Sequence, residues 1–85
     1  MTGREREVME EIQRILATQL EVTGTVVASD RLAHCAALDS LGLITLAVGL
    51  EDRFRIKLAE ADAPGLQTFA DVVSLVNRRR VEAGR

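Results

Sequence analysis

The chain has 85 residues, of which 47% are hydrophobic, and carries a formal net charge of −2 with a single cysteine, Cys35. A chain of this length forms one domain, expected over residues 1–85, and has little room for an enclosed pocket, which disfavours a self-contained enzyme. Two phenylalanines without any Trp or Tyr argue against nucleic-acid binding, and one cysteine excludes an internal disulfide or a multi-cysteine metal site.

The N-terminal segment Arg4-Glu5-Arg6-Glu7 is charged and no signal-type apolar stretch follows it. No apolar run approaches the roughly 20 residues that cross a bilayer. We therefore expect a cytoplasmic, monomeric protein without membrane contact, and the initiating Met1 favours a stand-alone protein over an excised module.

The first predicted helix runs from about residue 4 to residue 20, because apolar residues recur there at spacings of three and four. These residues are Val8, Ile12, Ile15, Leu16 and Leu20. A loop of roughly 17 residues follows, which is longer than compact domains usually contain unless the loop packs down or has a function. We expect Val26, Val27 and Leu32 to anchor it against the helices.

The second predicted helix begins at Asp39 or Ser40, both good N-cap residues, and continues to about Arg53. It carries two apolar stripes. One consists of Leu43, Ala47, Leu50 and Phe54 with Leu46 beside it, and the other of Leu41, Ile44 and Val48. A small bundle cannot bury a helix on every side, so we expect the second stripe to face solvent or a partner. Gly49 within this helix indicates close packing at that position.

A short helical turn is predicted near 60–63, closed by Pro64-Gly65. The last helix opens at Thr68 with Asp71 in capping-box position, and its core face is Phe69, Val72, Val73 and Val76. Arg78, Arg79 and Arg80 are expected to complement its dipole. The pattern predicts an all-α fold, a small four-helix bundle of three longer helices and one short helix.

The segment Ala37-Leu38-Asp39-Ser40-Leu41 resembles the acyl carrier proteins. The resemblance continues through Leu46, Leu50, Glu51, Asp52, Phe54 and Ile56. It implies that Ser40 receives a covalent 4'-phosphopantetheine from coenzyme A through a phosphopantetheinyl transferase, with Asp39 helping to hold the Mg²⁺ of that enzyme. A helix N-terminus suits a phosphate because its free N–H groups and its dipole are positive there.

The same resemblance implies partners that dock on the second helix, namely acyl-loading ligases or transferases and condensing synthases. Leu41, Ile44 and Val48 match exposed apolar docking positions, and Glu51 and Asp52 match acidic ones. Gly42 and Thr45 depart from the family, because fatty-acid carriers usually have acids there, and basic residues follow at the far end of the helix. These are Arg53, Arg55 and Lys57. The departures favour a dedicated polyketide, peptide or specialised lipid pathway.

Other interpretations of the same residues stay open. Ser40 is also a suitable N-cap, the Leu41 stripe is also suitable for a core, and Glu51 and Asp52 also suit a solvated surface. The chain as a whole could be a helical adaptor that docks partners without the arm. A hydrolase built from His34, Asp39 and Ser40 is disfavoured, because a triad needs converging groups and an oxyanion hole. Cys35 is expected to be a small loop residue.

Overall fold

The computed structural model describes residues 2–83. Three α-helices, α1 (Gly3–Gln19), α2 (Ser40–Phe54) and α3 (Phe69–Glu82), are joined by loops that contain 3₁₀-helices at Leu32–His34 and Glu60–Gly65. The all-α architecture with three longer helices and a short one near residue 60 is confirmed. The sequence missed the additional 3₁₀ turn in the first loop, because three residues are too few to show a period.

Side-chain caps explain where two of the helices begin. The Thr68 hydroxyl accepts a hydrogen bond from the Asp71 N–H (3.3 Å), while the Asp71 carboxylate accepts from the N–H groups of Thr68 (3.0 Å) and Gln67 (2.9 Å). The predicted capping box of the last helix is thereby confirmed. Thr2 and Glu5 form a second capping box at the start of α1, so both helices begin at satisfied N–H groups.

The core forms around α1, on which both other helices pack. Its members are aliphatic apart from one aromatic ring. They are Val8, Ile12, Ile15 and Leu16 of α1, Leu46 and Leu50 of α2, Phe69, Val72, Val73 and Val76 of α3, and Leu32, Leu38 and Ile56 between helices. Gly49 lets α2 approach α1, since a Cβ there would lie 2.6 Å from Ile15 Cδ1. The close packing predicted at Gly49 is confirmed.

The first loop is fastened to α1 by one amide side chain. Gln13 donates from Nε2 to the carbonyl of Gly24 (3.1 Å) and accepts at Oε1 from the N–H of Val26 (2.9 Å). Val26 packs against the core and Leu32 is buried, as predicted. Val27 was wrongly predicted as an anchor: it is 54% exposed, because its N–H and carbonyl close a surface turn with Asp30.

Backbone hydrogen bonds then hold the loop against the start of α3. The N–H of Leu32 donates to the backbone carbonyl of Gln67 (2.9 Å), and the N–H of Phe69 donates to the backbone carbonyl of Asp30 (3.1 Å). The N–H of Ala70 donates to Ala28 (2.8 Å). The loop therefore packs down along its length, which fixes the path by which the chain enters α2.

The opposite end of the bundle is held by charged side chains. Arg80 of α3 pairs with Glu7 of α1 (3.1 Å) and lies 4.7 Å over the ring of Phe54 in α2. Arg53 also lies over that ring (4.8 Å) and reaches the buried carboxylate of Glu11 in α1 (3.8 Å). We call Glu7, Glu11, Arg53, Phe54 and Arg80 the charged end of the bundle; it connects all three helices.

Two of the three arginines of α3 therefore do more than complement the helix dipole. Arg79 binds Asp62 in the 3₁₀-helix (2.8 Å) and Glu82 (3.2 Å), while Arg80 takes part in the charged end. Both lie in the last turn, and Arg78 is exposed one position earlier. Among residues 2–83, no helix combines the length and the apolar character that crossing a membrane requires.

Candidate functional site

Ser40 is the first residue of α2, and it is exposed. The N-cap is Asp39, whose Oδ1 accepts a hydrogen bond from the N–H of Gly42 (2.8 Å). The Asp39 carbonyl accepts from the N–H of Leu43 (2.9 Å). Ser40 is therefore not the capping residue. Its hydroxyl makes no hydrogen bond within residues 2–83, which leaves it open to solvent.

The backbone around Ser40 offers donors for an anion. Within the described part of the chain, the N–H groups of Ser40 and Leu41 have no hydrogen-bond partner, since the side chain of Asp39 satisfies Gly42 instead. These N–H groups lie at the positive end of the α2 dipole. A phosphate diester on the Ser40 oxygen would find donors and favourable charge there. The residues present thus fit a phosphopantetheine group.

A tight backbone contact positions the start of α2. A Cβ on Gly42 would overlap the carbonyl oxygen of Ala37 and lie 2.9 Å from its carbonyl carbon, so this loop conformation requires glycine at position 42. Gly42 is also buried. The preceding loop therefore covers position 42, where fatty-acid carriers were expected to have an acid, and Gly42 is a packing residue in this chain.

Two residues just before the site are packing residues. Leu38 is buried, and its N–H donates to the carbonyl of Cys35 (2.9 Å). Cys35 is half-buried against the core, which agrees with its expected role as a small loop residue. A cleft of about 520 Å³ lies beside this segment, and Phe69 is one of its lining residues.

We call residues 36–43, which contain Ser40 and the loop that packs against it, the serine end of the bundle.

The second apolar stripe of α2 faces outward. Leu41 is 72% exposed, Ile44 59% and Val48 49%, whereas Leu46 and Leu50 are buried in the core. The prediction that one stripe of this helix faces outward is confirmed, and the interpretation of the Leu41 stripe as ordinary core is wrong. Exposed large apolar residues in a row are typical of an interaction surface.

The two acidic candidates differ in their surroundings. Glu51 is half-buried and its Oε2 accepts a hydrogen bond from the N–H of Leu58 (2.8 Å), which holds the segment after α2. No sequence pattern indicates this contact, because it joins a residue of α2 to one seven positions later, beyond the end of the helix. Asp52 is exposed and makes no hydrogen bond or ion pair within residues 2–83. Docking by Glu51 and Asp52 stays a prediction.

The arrangement does not form a catalytic triad. His34 is exposed at the end of the first 3₁₀-helix, and within residues 2–83 no hydrogen bond joins its ring to Asp39 or Ser40. Asp39 is instead engaged by Gly42. A serine nucleophile needs a base within hydrogen-bond reach, so the three side chains provide no hydrolase chemistry in this geometry.

Comparison with known proteins places the chain in a family. Residues 10–76 match the family model described as phosphopantetheine attachment site. An acyl carrier protein of Rhodococcus erythropolis is 28% identical over 96% of this chain and 91% of its own length. One from Thermosynechococcus vestitus is 31% identical over 86% of this chain and 91% of its own length.

A solved structure supports the fold separately. The crystal structure of an acyl carrier protein from Thermotoga maritima superposes with a TM-score of 0.84 at 16% identity, covering 95% of both chains. A meromycolate extension acyl carrier protein of Mycolicibacterium aurum is 36% identical over 45 residues, which are 53% of this chain and 46% of that protein.

Members of this family carry acyl groups on covalently attached 4'-phosphopantetheine, interact with transferases and synthases, and are not themselves enzymes. The match covers most of the chain, and the four-helix fold agrees with it. On these grounds the chain belongs to the acyl carrier proteins.

Proposed function

We propose that Ser40 is the phosphopantetheine attachment residue and that the chain carries acyl, aminoacyl or peptidyl groups for a dedicated polyketide, peptide or specialised lipid pathway. One observation carries the assignment: the Ser40 hydroxyl is exposed and unbonded at the N-terminus of α2, because Asp39 takes the capping role. If Ser40 were the cap, its hydroxyl oxygen would accept a hydrogen bond from a backbone N–H of the first turn.

The proposed attachment forms one bond and breaks another. The Ser40 Oγ binds the phosphorus of the pantetheine-side phosphate of coenzyme A, adenosine 3',5'-bisphosphate leaves, and the hydroxyl proton passes to a base of the transferase. The Asp39 carboxylate beside it supplies an oxygen ligand of the kind that Mg²⁺ prefers. When bound, phosphopantetheine supplies a terminal thiol that holds acyl groups as thioesters.

The proposal of a specialised lipid pathway rests on a partial likeness. The meromycolate extension carrier matches only 45 residues of the chain. Thr45 stands where a fatty-acid carrier would have an acid, and Arg55 and Lys57 are exposed beyond the helix. These features favour partners other than a general fatty-acid synthase.

Intact-mass measurement tests the attachment site. The purified chain is incubated with coenzyme A, Mg²⁺ and a phosphopantetheinyl transferase, and we expect a gain of about 340 Da that Ser40→Ala abolishes. Ser74→Ala is the matched control, since Ser74 is an exposed helical serine far from α2 in sequence; it should be modified like the original chain. An unmodified chain, or a modified Ser40→Ala variant, would refute the assignment.

The alternative of a helical adaptor is favoured by the exposed Leu41, Ile44 and Val48. An adaptor would bind partners equally well with or without the arm. Binding of Ser40→Ala and of the modified chain to the same condensing enzyme, compared by titration, separates the two functions. Carriage predicts that the modified chain binds more tightly, whereas equal affinity supports the adaptor.

A further inference from the structure

We propose that Arg55 and Lys57, just beyond the end of α2, form a separate docking surface that binds an acidic segment of a partner protein. We call these two residues the basic pair. The 15 residues of α2 separate the pair from Ser40 by about 22 Å, since each residue adds about 1.5 Å. A partner held there leaves Ser40 uncovered. The proposal goes beyond the proposed function, because it does not depend on modification of Ser40.

The basic pair lies on a backbone that is fixed by one acidic residue. The carbonyl of Glu51 accepts hydrogen bonds from the N–H groups of Arg55 and Ile56, and its Oε2 accepts from the N–H of Leu58 (2.8 Å). Ile56 is buried, whereas Arg55 and Lys57 on either side of it are exposed. Both cationic side chains therefore face solvent from a segment whose backbone does not have to be ordered on binding.

The side chains of the basic pair make no hydrogen bond or ion pair within residues 2–83. By contrast, Arg53 and Arg80 of the charged end reach carboxylates of α1. Complementing the helix dipole accounts for Arg53 in the last turn of α2, but not for Lys57, which lies three residues beyond the end of that helix. Arg55 also occupies a left-handed backbone conformation that favours glycine. The two cations are therefore available to a partner.

A cleft of about 580 Å³ lies between the basic pair and the end of α3. Its other charged lining residues are Glu51, Asp52, Arg79 and Glu82. Glu51 is engaged by the N–H of Leu58, and Arg79 and Glu82 pair with each other (3.2 Å). Asp52 is exposed and makes no hydrogen bond or ion pair in the described part of the chain. A fitting segment therefore places carboxylates against the basic pair and keeps them away from Asp52.

An acidic protein segment fits this surface better than other anions do. Anionic membranes are recognised by clusters of roughly four to eight Lys or Arg, which is more than the basic pair offers. Nucleic acid would bring a whole row of phosphates against a chain whose net charge is −2. A guanidinium binds one carboxylate through two parallel hydrogen bonds, and an ammonium binds another as a point charge. Two neighbouring carboxylates of a partner protein therefore match the basic pair.

Titration of the isotope-labelled chain with acetylated hexaglutamate, followed by NMR, tests the proposal. We expect the largest amide shifts in residues 51–58 and 79–82, with half-saturation at about 1 mM, because exposed ion pairs are weak. Binding should weaken severalfold between about 0.05 M and about 0.5 M salt, because salt screens exposed charges. Hexalysine at the same concentrations should shift these amides less.

Charge reversal locates the contact. Arg55→Glu and Lys57→Glu should each weaken hexaglutamate binding about threefold or more, whereas Arg31→Glu should leave it unchanged. Arg31 is the matched control, because it is an exposed arginine of the first loop and forms no ion pair within residues 2–83. Asp52→Asn should strengthen binding about twofold by removing a repelling charge. Arg55→Gly, which suits the left-handed backbone, should weaken binding while circular dichroism shows a folded chain.

Two results would overturn docking at the basic pair. Equal losses in Arg31→Glu and Arg55→Glu would mean that hexaglutamate binds any exposed arginine. Stronger binding of hexalysine than of hexaglutamate at residues 51–58 would mean that the carboxylates of the cleft dominate.

Ser40→Ala keeps this test separate from the proposed function, because that variant should bind hexaglutamate like the original chain. If hexaglutamate does not bind the original chain, docking at the basic pair is refuted while attachment at Ser40 is unaffected. If Ser40 is not modified but hexaglutamate binds as expected, only the proposed function fails.

Discussion

The serine end and the charged end of the bundle are stabilised by different interactions. At the serine end, hydrogen bonds to backbone N–H groups and the contact between Gly42 and Ala37 hold the loop, and the exposed side chains include Asp39, Ser40 and Leu41. At the charged end, ion pairs and two guanidinium groups over the Phe54 ring connect α1, α2 and α3.

This difference explains how a small carrier can be stable and still offer a surface. Side chains that tie helices together are not available to a partner. Because the serine end is fixed mainly through backbone atoms, its Ser40 and Leu41 side chains remain free for contact, as does Ile44 one position beyond it. The charged end uses its side chains for cohesion, so docking of the enzymes that act on the arm is expected near Ser40.

The two phenylalanines provide the largest test of the comparison. Phe69 is completely buried beneath the loop of the serine end, whereas Phe54 is half-buried at the charged end. We expect Phe69→Ala to lower the free energy of unfolding by about 3–5 kcal/mol, because it leaves a cavity. Phe54→Ala should lower the free energy of unfolding by about 1–2 kcal/mol, because the ring is partly buried and makes two cation–π contacts.

Urea unfolding followed by circular dichroism measures both values. Phe69→Leu serves as a control that keeps most of the volume and should cost much less than Phe69→Ala. Equal losses in Phe69→Ala and Phe54→Ala would show that the charged end contributes as much buried core as the serine end, contrary to the comparison.

The next largest effect is expected at Gly42. Gly42→Ala forces the Ala37 carbonyl away from α2, and we expect a loss of about 1–3 kcal/mol in the free energy of unfolding, as for other overpacked positions. Modification of Ser40 by a transferase should slow as well, because the start of α2 shifts. Gly3→Ala is the control: a Cβ there meets no atom within 4 Å, and the variant should be neutral or slightly more stable. A neutral Gly42→Ala would contradict the assigned role of the glycine.

The sequence predicted the parts of this fold that repeat with a period. Helical spacing placed α1, α2 and α3 to within about two residues, and burial on one side of a small bundle identified the outward stripe of α2. The residue that would carry the arm followed from the resemblance around Ser40. Its chemical setting, with Asp39 and not Ser40 as the cap, needed coordinates, since both residue types suit that position.

Contacts between distant residues could not be predicted. Val27 and Val26 are both valines in one loop, and only hydrogen bonds to Asp30 and Gln13 decide which of them faces solvent. The roles of Gly42 and Glu51 likewise depend on backbone atoms that the pattern of side chains does not record.

Acid pH should weaken the capping box at the start of α3. The backbone N–H groups of Gln67 and Thr68 hold the pKa of Asp71 below its ordinary value. A carboxylate with a lowered pKa in the folded state contributes stability that is present above its unfolded pKa of about 4 and is lost as the pH falls through the lower folded pKa. We expect the stability difference between the original chain and Asp71→Asn to shrink below about pH 4.

Thermal unfolding across the pH range measures this difference. Asp52→Asn is the control, because the Asp52 carboxylate is exposed and makes no hydrogen bond within residues 2–83; the stability difference of this variant from the original chain should stay small and nearly constant. A difference for Asp71→Asn that grows toward acid pH would contradict the assigned role of the carboxylate.

The smallest expected effect is a gain in stability near the charged end. Arg55 ends α2 in the left-handed region, with φ 56° and ψ 51°, a conformation that favours glycine. We expect Arg55→Gly to raise the free energy of unfolding by about 0.5–1 kcal/mol, measured by urea unfolding. Lys57→Gly, at an exposed position outside the left-handed region, should give no gain. If Arg55→Gly is instead destabilising, the arginine side chain contributes more to cohesion at this end than its strained backbone costs.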